Sequence, residues 1–251
     1  MTNREKPAVL ITGAGSGIGA ASAQYFSQQG HQVVLVGRTK SKLHAVSETL
    51  KTDCHTLECD LTNENDTKSM VAKSIERFPN LGILINNAGI FERGLFEDSS
   101  DDMWRRIFES NLLAPLRLSK FLIPHFRKMG GGSILNIAST AGLRPVSGMT
   151  AYSSLKASLI SLTQSLALEL SVDQIRVNCI CPGIVETPLV TSKHISGLDL
   201  ENLRETWAKM HPLGRVGKPS DIAFGIYQLT CSEASWITGV VLPIDGGISL
   251  T

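Results

Sequence analysis

The sequence predicts one α/β domain in which helices flank both faces of a doubly wound, seven-stranded parallel sheet. Short apolar runs alternate with helical patterns along the chain. These runs are rich in β-branched residues and show little polar alternation, as expected of strands covered on both faces. The 251 residues are enough for one sizeable core, and neither an internal repeat nor a linker divides them. We therefore predict a single domain over residues 1–251.

The predicted elements alternate in order along the chain. Strands are predicted over 8–12, 32–37, 54–59, 83–86, 133–138, 175–180 and 240–244. Helices are predicted over 17–29, 40–50, 63–78, 101–128, 151–170 and 219–230. The pattern breaks down between about 187 and 215, where Pro and Gly recur. A loop of that length in a compact domain is usually functional, so we predict a substrate loop there.

Composition argues against several classes of function. Lys and Arg number 24 and Asp and Glu 23, so we expect no nucleic-acid or anionic-membrane surface. No stretch approaches the roughly 18 apolar residues of a membrane helix, and the start has no signal or transit pattern, which predicts a cytoplasmic protein. The five cysteines lack further ligands at metal-binding spacing, so we expect reduced thiols and no metal.

A glycine-rich turn follows the first strand. The sequence TGAGSGIG (12–19) lies between a predicted strand and a predicted helix. Glycines allow a tight turn and let backbone N–H groups approach a pyrophosphate, which a helix N-terminus attracts. The alternative is a plain tight connection, but the strand before and the helix after favour a dinucleotide. The candidate contacts are Gly13, Ser16, Gly17, Ile18 and Gly19.

The end of the second strand predicts which dinucleotide binds. An acidic residue there would bind a ribose hydroxyl and repel a 2′-phosphate, but the strand ends in Gly37 and Arg38. Arg38 could clamp the phosphate, or it could be a solvated loop arginine. Ser16 supplies no second cation in the glycine turn. We predict NADP(H) in preference to NAD(H).

Two further segments end strands where open α/β folds bind ligands. Asp60-Leu61 follows the third strand, where the carboxylate could meet an adenine amino group or could cap the next helix. The fourth strand closes with an Asn-Asn-Ala-Gly run, whose amides can tie down backbone at this edge. Its candidate cofactor contacts are Asn87, Ala88 and Gly89.

Tyr152 and Lys156 stand four residues apart on a predicted helix, thirteen and seventeen residues after Ser139. Residues at that helical spacing share one face, so the ammonium group can lie near the phenol. A nearby cation favours the phenolate and would lower the pKa of Tyr152 from about 10. Taken alone, a Tyr and a Lys at this spacing usually decorate a solvated face.

These motifs together resemble the classical short-chain dehydrogenase/reductase family. TGAGSGIG, NNAG, Asn111, Ser139, Tyr152-x-x-x-Lys156 and Pro182-Gly183 occur in that family's order over nearly the whole chain. The resemblance implies a Rossmann-type fold, NAD(P)(H), and a catalytic tetrad of Asn111, Ser139, Tyr152 and Lys156. It also implies that Tyr152 and Lys156 contact the cofactor, with Lys156 on the nicotinamide ribose. It assigns Asn111 a helix kink that positions a water, and places Pro182, Gly183, Val185 and Thr187 near the nicotinamide.

The resulting prediction is hydride transfer between nicotinamide C4 and a carbonyl or secondary alcohol, with Tyr152 as acid or base. Alternatives are a non-catalytic dinucleotide sensor or scaffold, and a sugar-nucleotide epimerase, which would be expected to have a larger C-terminal region. The natural substrate and direction stay open. Family resemblance makes a homotetramer, or a dimer, the expected assembly.

Apolar residues from three segments are candidates for the substrate pocket. Arg93 and Arg144 flank them and could bind an anionic group, or could be solvated. We assign no role to His194 and His211. The candidate lining is Phe91, Leu143, Val146, Met149, Leu189, Val190, Leu203, Trp207 and Met210.

Overall fold

The computed structural model describes residues 6–191 and 200–251 and confirms the predicted parallel sheet. Seven strands lie in the order β3-β2-β1-β4-β5-β6-β7. The order reverses between β1 and β4, and a crevice at the carboxyl ends of the strands is expected there. The strands are β1 Ala8–Thr12, β2 Val33–Gly37, β3 Cys54–Glu58, β4 Leu81–Asn86, β5 Gly132–Ile137, β6 Ile175–Pro182 and β7 Val241–Ile244.

Helices connect the strands and cover both faces of the sheet. They are α1 Gly17–Gln28, α2 Lys40–Ser47, α3 Glu64–Arg77, α4 Asp101–Phe108, α5 Ala114–Met129, α6 Thr150–Leu170, α7 Pro188–Thr191, α8 Leu200–Met210 and α9 Pro219–Thr230. A π-helical segment, Glu109–Leu113, separates α4 from α5. Within the described residues, no helix has the length and apolar character to span a membrane.

The segment from 187 to 215 is only partly the loop that was predicted. It contains the short helix α7 and the eleven-residue helix α8. Leu203, Trp207 and Met210 recur at helical spacing within α8, a signal that the surrounding prolines and glycines obscured. Residues 192–199, including His194 and Gly197, lie outside the described part of the chain.

The core forms one apolar layer on each side of the sheet. Leu10 of β1 points into the layer that also contains Phe126 of α5. Its neighbour Ile11 points into the opposite layer, with Phe26 of α1 and Ile226 of α9. Successive strand residues face opposite sides, so an almost continuous apolar strand serves both layers. This packing fixes the strand ends that carry the candidate site.

Candidate active site

The glycine turn between β1 and α1 makes a close backbone cradle. Gly13 and Gly17 have φ of +64° and +54°, a conformation that favours glycine. A Cβ on Gly19 would lie 2.3 Å from the carbonyl oxygen of Gly13, so no side chain fits there. The first turn of α1 has no acidic residue, and Ser16 makes no side-chain cap hydrogen bond. The turn therefore fits a pyrophosphate at a helix N-terminus.

Thr12 joins the ends of β1 and β4 beside this turn. Its hydroxyl donates to the Ile85 carbonyl and accepts from the backbone amides of Asn87 (2.9 Å) and Ala88 (3.0 Å). The Asn87 side chain donates to the Thr12 carbonyl at 2.8 Å. The Asn87 amide thus ties down backbone at the carboxyl edge, while Asn86 turns inward and donates to Asn136.

A cavity of about 840 Å³ opens from the glycine turn across this edge. Its lining includes the glycine turn, the 87–89 segment, Arg38, Asp60, Leu61 and Thr187. Ser139, Tyr152, Lys156, Pro182, Gly183 and Val185 are not among its lining residues. The volume lies within the usual range for cofactor and ligand sites.

Asp60 lines this cavity but does not cap α3. Its carboxylate accepts from the amide and the hydroxyl of Thr62, at 3.0 and 2.8 Å, and so shapes the turn after β3. The cap of α3 is Asn63, whose side chain accepts from the amides of Asn65 and Asp66. The capping alternative for Asp60 is therefore wrong.

The structure brings Ser139, Tyr152 and Lys156 together at the end of β5. The Tyr152 hydroxyl lies near enough to the Ser139 side chain for that side chain to lower the pKa of Tyr152. Ser139 Oγ also accepts from the Ala141 amide at 3.1 Å. One helical turn after Tyr152, the buried Lys156 donates to the Ile137 carbonyl at 2.7 Å. Its Nζ lies 5.7 Å from the centre of the Tyr152 ring.

Burial dominates the acid–base properties of this pair. Desolvation raises the pKa of Tyr152 to about 12, against the opposing effect of the neighbouring Ser139 side chain. Desolvation also lowers the pKa of Lys156 to about 8, although the buried thiols of Cys179 and Cys181 oppose the shift. The expected lowering of the Tyr152 pKa by Lys156 is not what the structure gives. The ammonium group is directed at a backbone carbonyl, and both side chains lose hydration.

Asn111 lies in the π-helical segment and is fully buried, so it is not a helix-surface amide. Its side chain accepts from the Ile90 amide and donates to the Ile90 carbonyl, both at 2.8 Å. A Cβ on Gly89 would lie 2.9 Å from Asn111 Oδ1 and 3.8 Å from Lys156 Nζ. Asn111 therefore fixes the segment after β4 beside Lys156.

The segment after β6 passes beside the glycine turn. Gly183 lies against Asp245, where a Cβ would be 3.0 Å from the Asp245 Cα. Val185 is buried and pairs with Gly217 in an isolated bridge. The Thr187 methyl carbon would be 3.0 Å from a Cβ on Gly17. Of the four residues expected near the nicotinamide, Thr187 reaches the cavity.

The residues considered for the substrate pocket lie in different environments in the structure. Phe91 packs edge-on against Tyr152, with ring centres 5.1 Å apart. Arg93 is exposed and lines the cavity. Arg144 donates to the carbonyls of Ser249 and Thr251, at 2.8 and 2.6 Å, so it holds the C-terminal segment. His211 is buried and hydrogen-bonds through Nδ1 to the Trp207 carbonyl.

Sequence reasoning missed three features of this site. Thr12 stands in the glycine motif, but its role depends on a strand distant in sequence. Arg106 forms a two-bond pair with Glu92 at the cavity (3.1 and 2.9 Å), and Lys42 lines the cavity near the glycine turn. The five cysteines are free, and the described residues contain no cluster of three or more potential metal ligands among His, Cys, Asp and Glu.

Comparisons with known proteins agree with this geometry. A family model described as enoyl-(acyl carrier protein) reductase matches residues 13–249. The chain is 34% identical over 242 residues to the 3-oxoacyl-(acyl-carrier-protein) reductase FabG of Thermotoga maritima, covering 95% of this chain and 96% of the relative. It is 35% identical over 243 residues to L-fucose dehydrogenase of Bos taurus, covering 96% and 89%.

Solved structures give the same result. A 3-ketoacyl-(acyl-carrier-protein) reductase from Brucella melitensis complexed with NADH is 34% identical, with a TM-score of 0.90 and coverage of 98% of this chain and 99% of that one. ElxO with NADP bound is 30% identical, with a TM-score of 0.90 and coverage of 98% and 100%. This chain therefore belongs to the classical short-chain dehydrogenase/reductase family and is an NAD(P)-dependent oxidoreductase with a Rossmann-type fold.

Proposed function

We propose that this chain reduces the carbonyl group of a small molecule to a secondary alcohol at Ser139, Tyr152 and Lys156, with NADP(H) preferred over NAD(H). The observation that carries the proposal is the approach of Tyr152 to Ser139 at the carboxyl edge of the sheet, close enough for Ser139 to lower the pKa of Tyr152, with buried Lys156 one helical turn away. A phenol held this way is placed to exchange a proton with a substrate oxygen.

The protonation of Tyr152 favours the reductive direction. Tyr152 is protonated at neutral pH, as a free tyrosine is, and burial, which raises its pKa to about 12, keeps the phenol in the acid form. The nicotinamide, when bound, supplies a hydride to the carbonyl carbon. The Tyr152 hydroxyl then gives its proton to the carbonyl oxygen, which the Ser139 hydroxyl orients.

Lys156 and Asn111 position this pair. Lys156 can release a proton near neutral pH, since its pKa is about 8, and can replace the proton that Tyr152 gives up. Asn111 acts through Ile90 by holding the segment after β4. The water that family resemblance places between Asn111 and Lys156 stays a prediction.

The cofactor contacts follow the strand ends. We assign the pyrophosphate to the turn containing Gly13, Ser16, Gly17, Ile18 and Gly19, where backbone amides and a helix N-terminus meet. Arg38 takes the 2′-phosphate, since it lines the cavity and no acidic residue stands at Gly37. Asp60 and Leu61, which line the cavity after β3, would hold the adenine. The nicotinamide half would be held by Asn87, Ala88 and Gly89 after β4, by Tyr152 and Lys156 of α6, and by Pro182, Gly183, Val185 and Thr187 at and after the end of β6.

The proposed substrate is a small carbonyl compound. Its carbonyl group would reach Tyr152 beside Phe91, whose ring packs against the Tyr152 ring.

A cytoplasmic homotetramer or dimer is the proposed assembly. Exposed Phe108, Leu116 and Leu168, on helices α4, α5 and α6, support burial against a second copy. Leu168 is 80% exposed, which is unusual for a leucine in a long helix.

The test is Tyr152→Phe, which removes the proton donor and keeps the ring. We expect NADPH oxidation with a panel of ketones to fall by about 1,000-fold, in line with losing general-acid catalysis. NADPH binding, measured by fluorescence titration, should stay within about threefold of wild type. Retained turnover would contradict the assignment of Tyr152. A wild-type chain that binds cofactor and reduces no compound would favour the sensor or scaffold alternative.

A further inference from the structure

Lys42 lies beside the glycine turn although it belongs to α2. Its Cβ is 3.0 Å from the position that a Cβ on Gly15 would occupy, and Lys42 lines the same cavity as Arg38. Both side chains are exposed. The absence of a side chain at Gly15 therefore leaves room for the stem of Lys42 at the rim of the cavity.

The packing of Leu43 fixes this arrangement. Leu43 is 1% exposed and belongs to the apolar layer of Val33 and Leu35. A Cβ on Gly37 would lie 3.2 Å from Leu43 Cδ2, so the first turn of α2 sits directly on the end of β2. Because Leu43 points into the core, the preceding residue is held at the cavity rim.

Within residues 6–191 and 200–251, no carboxylate forms an ion pair with the two cations at this end of the cavity. Arg106, elsewhere on the lining, is paired with Glu92. Among the described residues, neither Arg38 nor Lys42 forms an ion pair with a carboxylate, and the first turn of α2 has no acidic residue. Two cations beside one strand end suit a group of about two negative charges, such as a phosphate monoester.

We propose that Lys42 is a second cation for the 2′-phosphate of NADP(H), acting with Arg38 to select this cofactor. The inference rests on the proposed function, in which the adenosine end lies at the carboxyl end of β2. Arg38 supplies a planar fork of donors, and Lys42 adds a point charge on a flexible stem beside Gly15. Lys42 thus replaces the basic residue that Ser16 does not provide.

The experiment compares binding of NADPH and NADH, by fluorescence titration at low salt, to wild type, Lys42→Ala, Lys42→Arg, Arg38→Ala and Lys40→Ala. Lys40 is the matched control, because it begins the same exposed helix turn and does not line the cavity. We expect Lys42→Ala to weaken NADPH by about fivefold to tenfold, as for loss of one charge-assisted contact, and to leave NADH within twofold. Lys42→Arg should restore most of the affinity, and Lys40→Ala should change neither ligand by more than about twofold.

Adenosine 2′,5′-bisphosphate and 5′-AMP, titrated by calorimetry, isolate the phosphate from the nicotinamide. We expect Lys42→Ala to weaken only the bisphosphate, with a difference that shrinks as salt is added. Equal weakening of both compounds, or no effect on either, would overturn the role of Lys42. A wild-type chain that binds NADH as tightly as NADPH would overturn the NADP(H) preference itself. A wild-type preference that survives Lys42→Ala unchanged would overturn this inference alone.

Discussion

The ammonium group of Lys156 donates a 2.7 Å hydrogen bond to the backbone carbonyl of Ile137, two residues before Ser139. This bond links the second turn of α6 to the end of β5. It also places a side chain of ordinary pKa 10.5 where burial lowers that pKa to about 8. The lysine is therefore held in position at a cost in the hydration of its charge.

Lys156→Met tests that cost through the pH dependence of stability. Between pH 8 and pH 10 the unfolded chain keeps the Lys156 proton that the folded chain releases, so stability from this group rises with pH. We expect wild type to gain about 2 kcal/mol of unfolding free energy over Lys156→Met across this range. Urea denaturation at several pH values measures the difference.

Two features separate the contribution of Lys156 to the pH dependence of stability from the contributions of other groups. Tyr152, whose pKa is raised to about 12, lowers stability only above its ordinary value of 10.0 and is present in both proteins. Lys40→Met, which removes an exposed lysine, should follow wild type throughout. Parallel curves for wild type and Lys156→Met would show that Lys156 keeps an ordinary pKa.

Ser139→Ala removes the hydroxyl that lies near the Tyr152 hydroxyl and lowers the pKa of Tyr152. We expect kcat for carbonyl reduction to fall by about 100-fold, because the developing oxyanion loses an oriented donor. NADPH affinity should stay within about twofold. Thr140→Ala is the matched control, since its hydroxyl donates to the Pro182 carbonyl instead. An equal loss in both variants would assign Ser139 a structural role only.

Gly19→Ala places a methyl group 2.3 Å from the Gly13 carbonyl oxygen, a distance that forces α1 away from the glycine turn. We expect a loss of about 1–3 kcal/mol in unfolding free energy and at least tenfold weaker NADPH binding. Thermal unfolding and fluorescence titration measure the two effects. Gly94→Ala, where nothing lies within 4 Å, should change neither. Normal NADPH affinity in Gly19→Ala would place the pyrophosphate elsewhere.

Asn111→Ala leaves both backbone polar groups of Ile90 without their partner. We expect about 2 kcal/mol of lost stability and a lower kcat, because the segment after β4 is released. Denaturant unfolding and steady-state kinetics measure these effects. Asn65→Ala, at an exposed position in α3, should be close to neutral. Wild-type stability in Asn111→Ala would mean that other contacts hold Ile90.

The strands could be predicted from sequence because both faces of the sheet are covered. Leu10 and Ile11 pack into opposite apolar layers, so successive residues of the run from 8 to 12 are apolar. This continuous apolar run predicts a strand from the sequence alone. The gathering of Ser139, Tyr152 and Lys156 was also predictable, since strand ends and helical spacing determine it. Helix α8 was missed because its apolar spacing lies among prolines and glycines.

The remaining features depend on the tertiary fold, so a local sequence pattern could not predict them. Lys42 reaches the glycine turn only because Leu43 fixes the rotation of α2 on the sheet. The pKa of Tyr152 rises rather than falls because burial outweighs its polar partners, and burial is a property of the folded chain. The engagement of Arg144 with Ser249 and Thr251 likewise needs the tertiary fold.

The hydroxyl of Thr12 restrains two strands at the edge of the cavity. It forms hydrogen bonds with Ile85, Asn87 and Ala88, and so joins the end of β1 to the end of β4. The strand order of the sheet reverses between these two strands. Shifting β1 against β4 at this edge would break these three hydrogen bonds at once, so the Thr12 hydroxyl holds the two strand ends in register where the glycine turn meets the 87–89 segment.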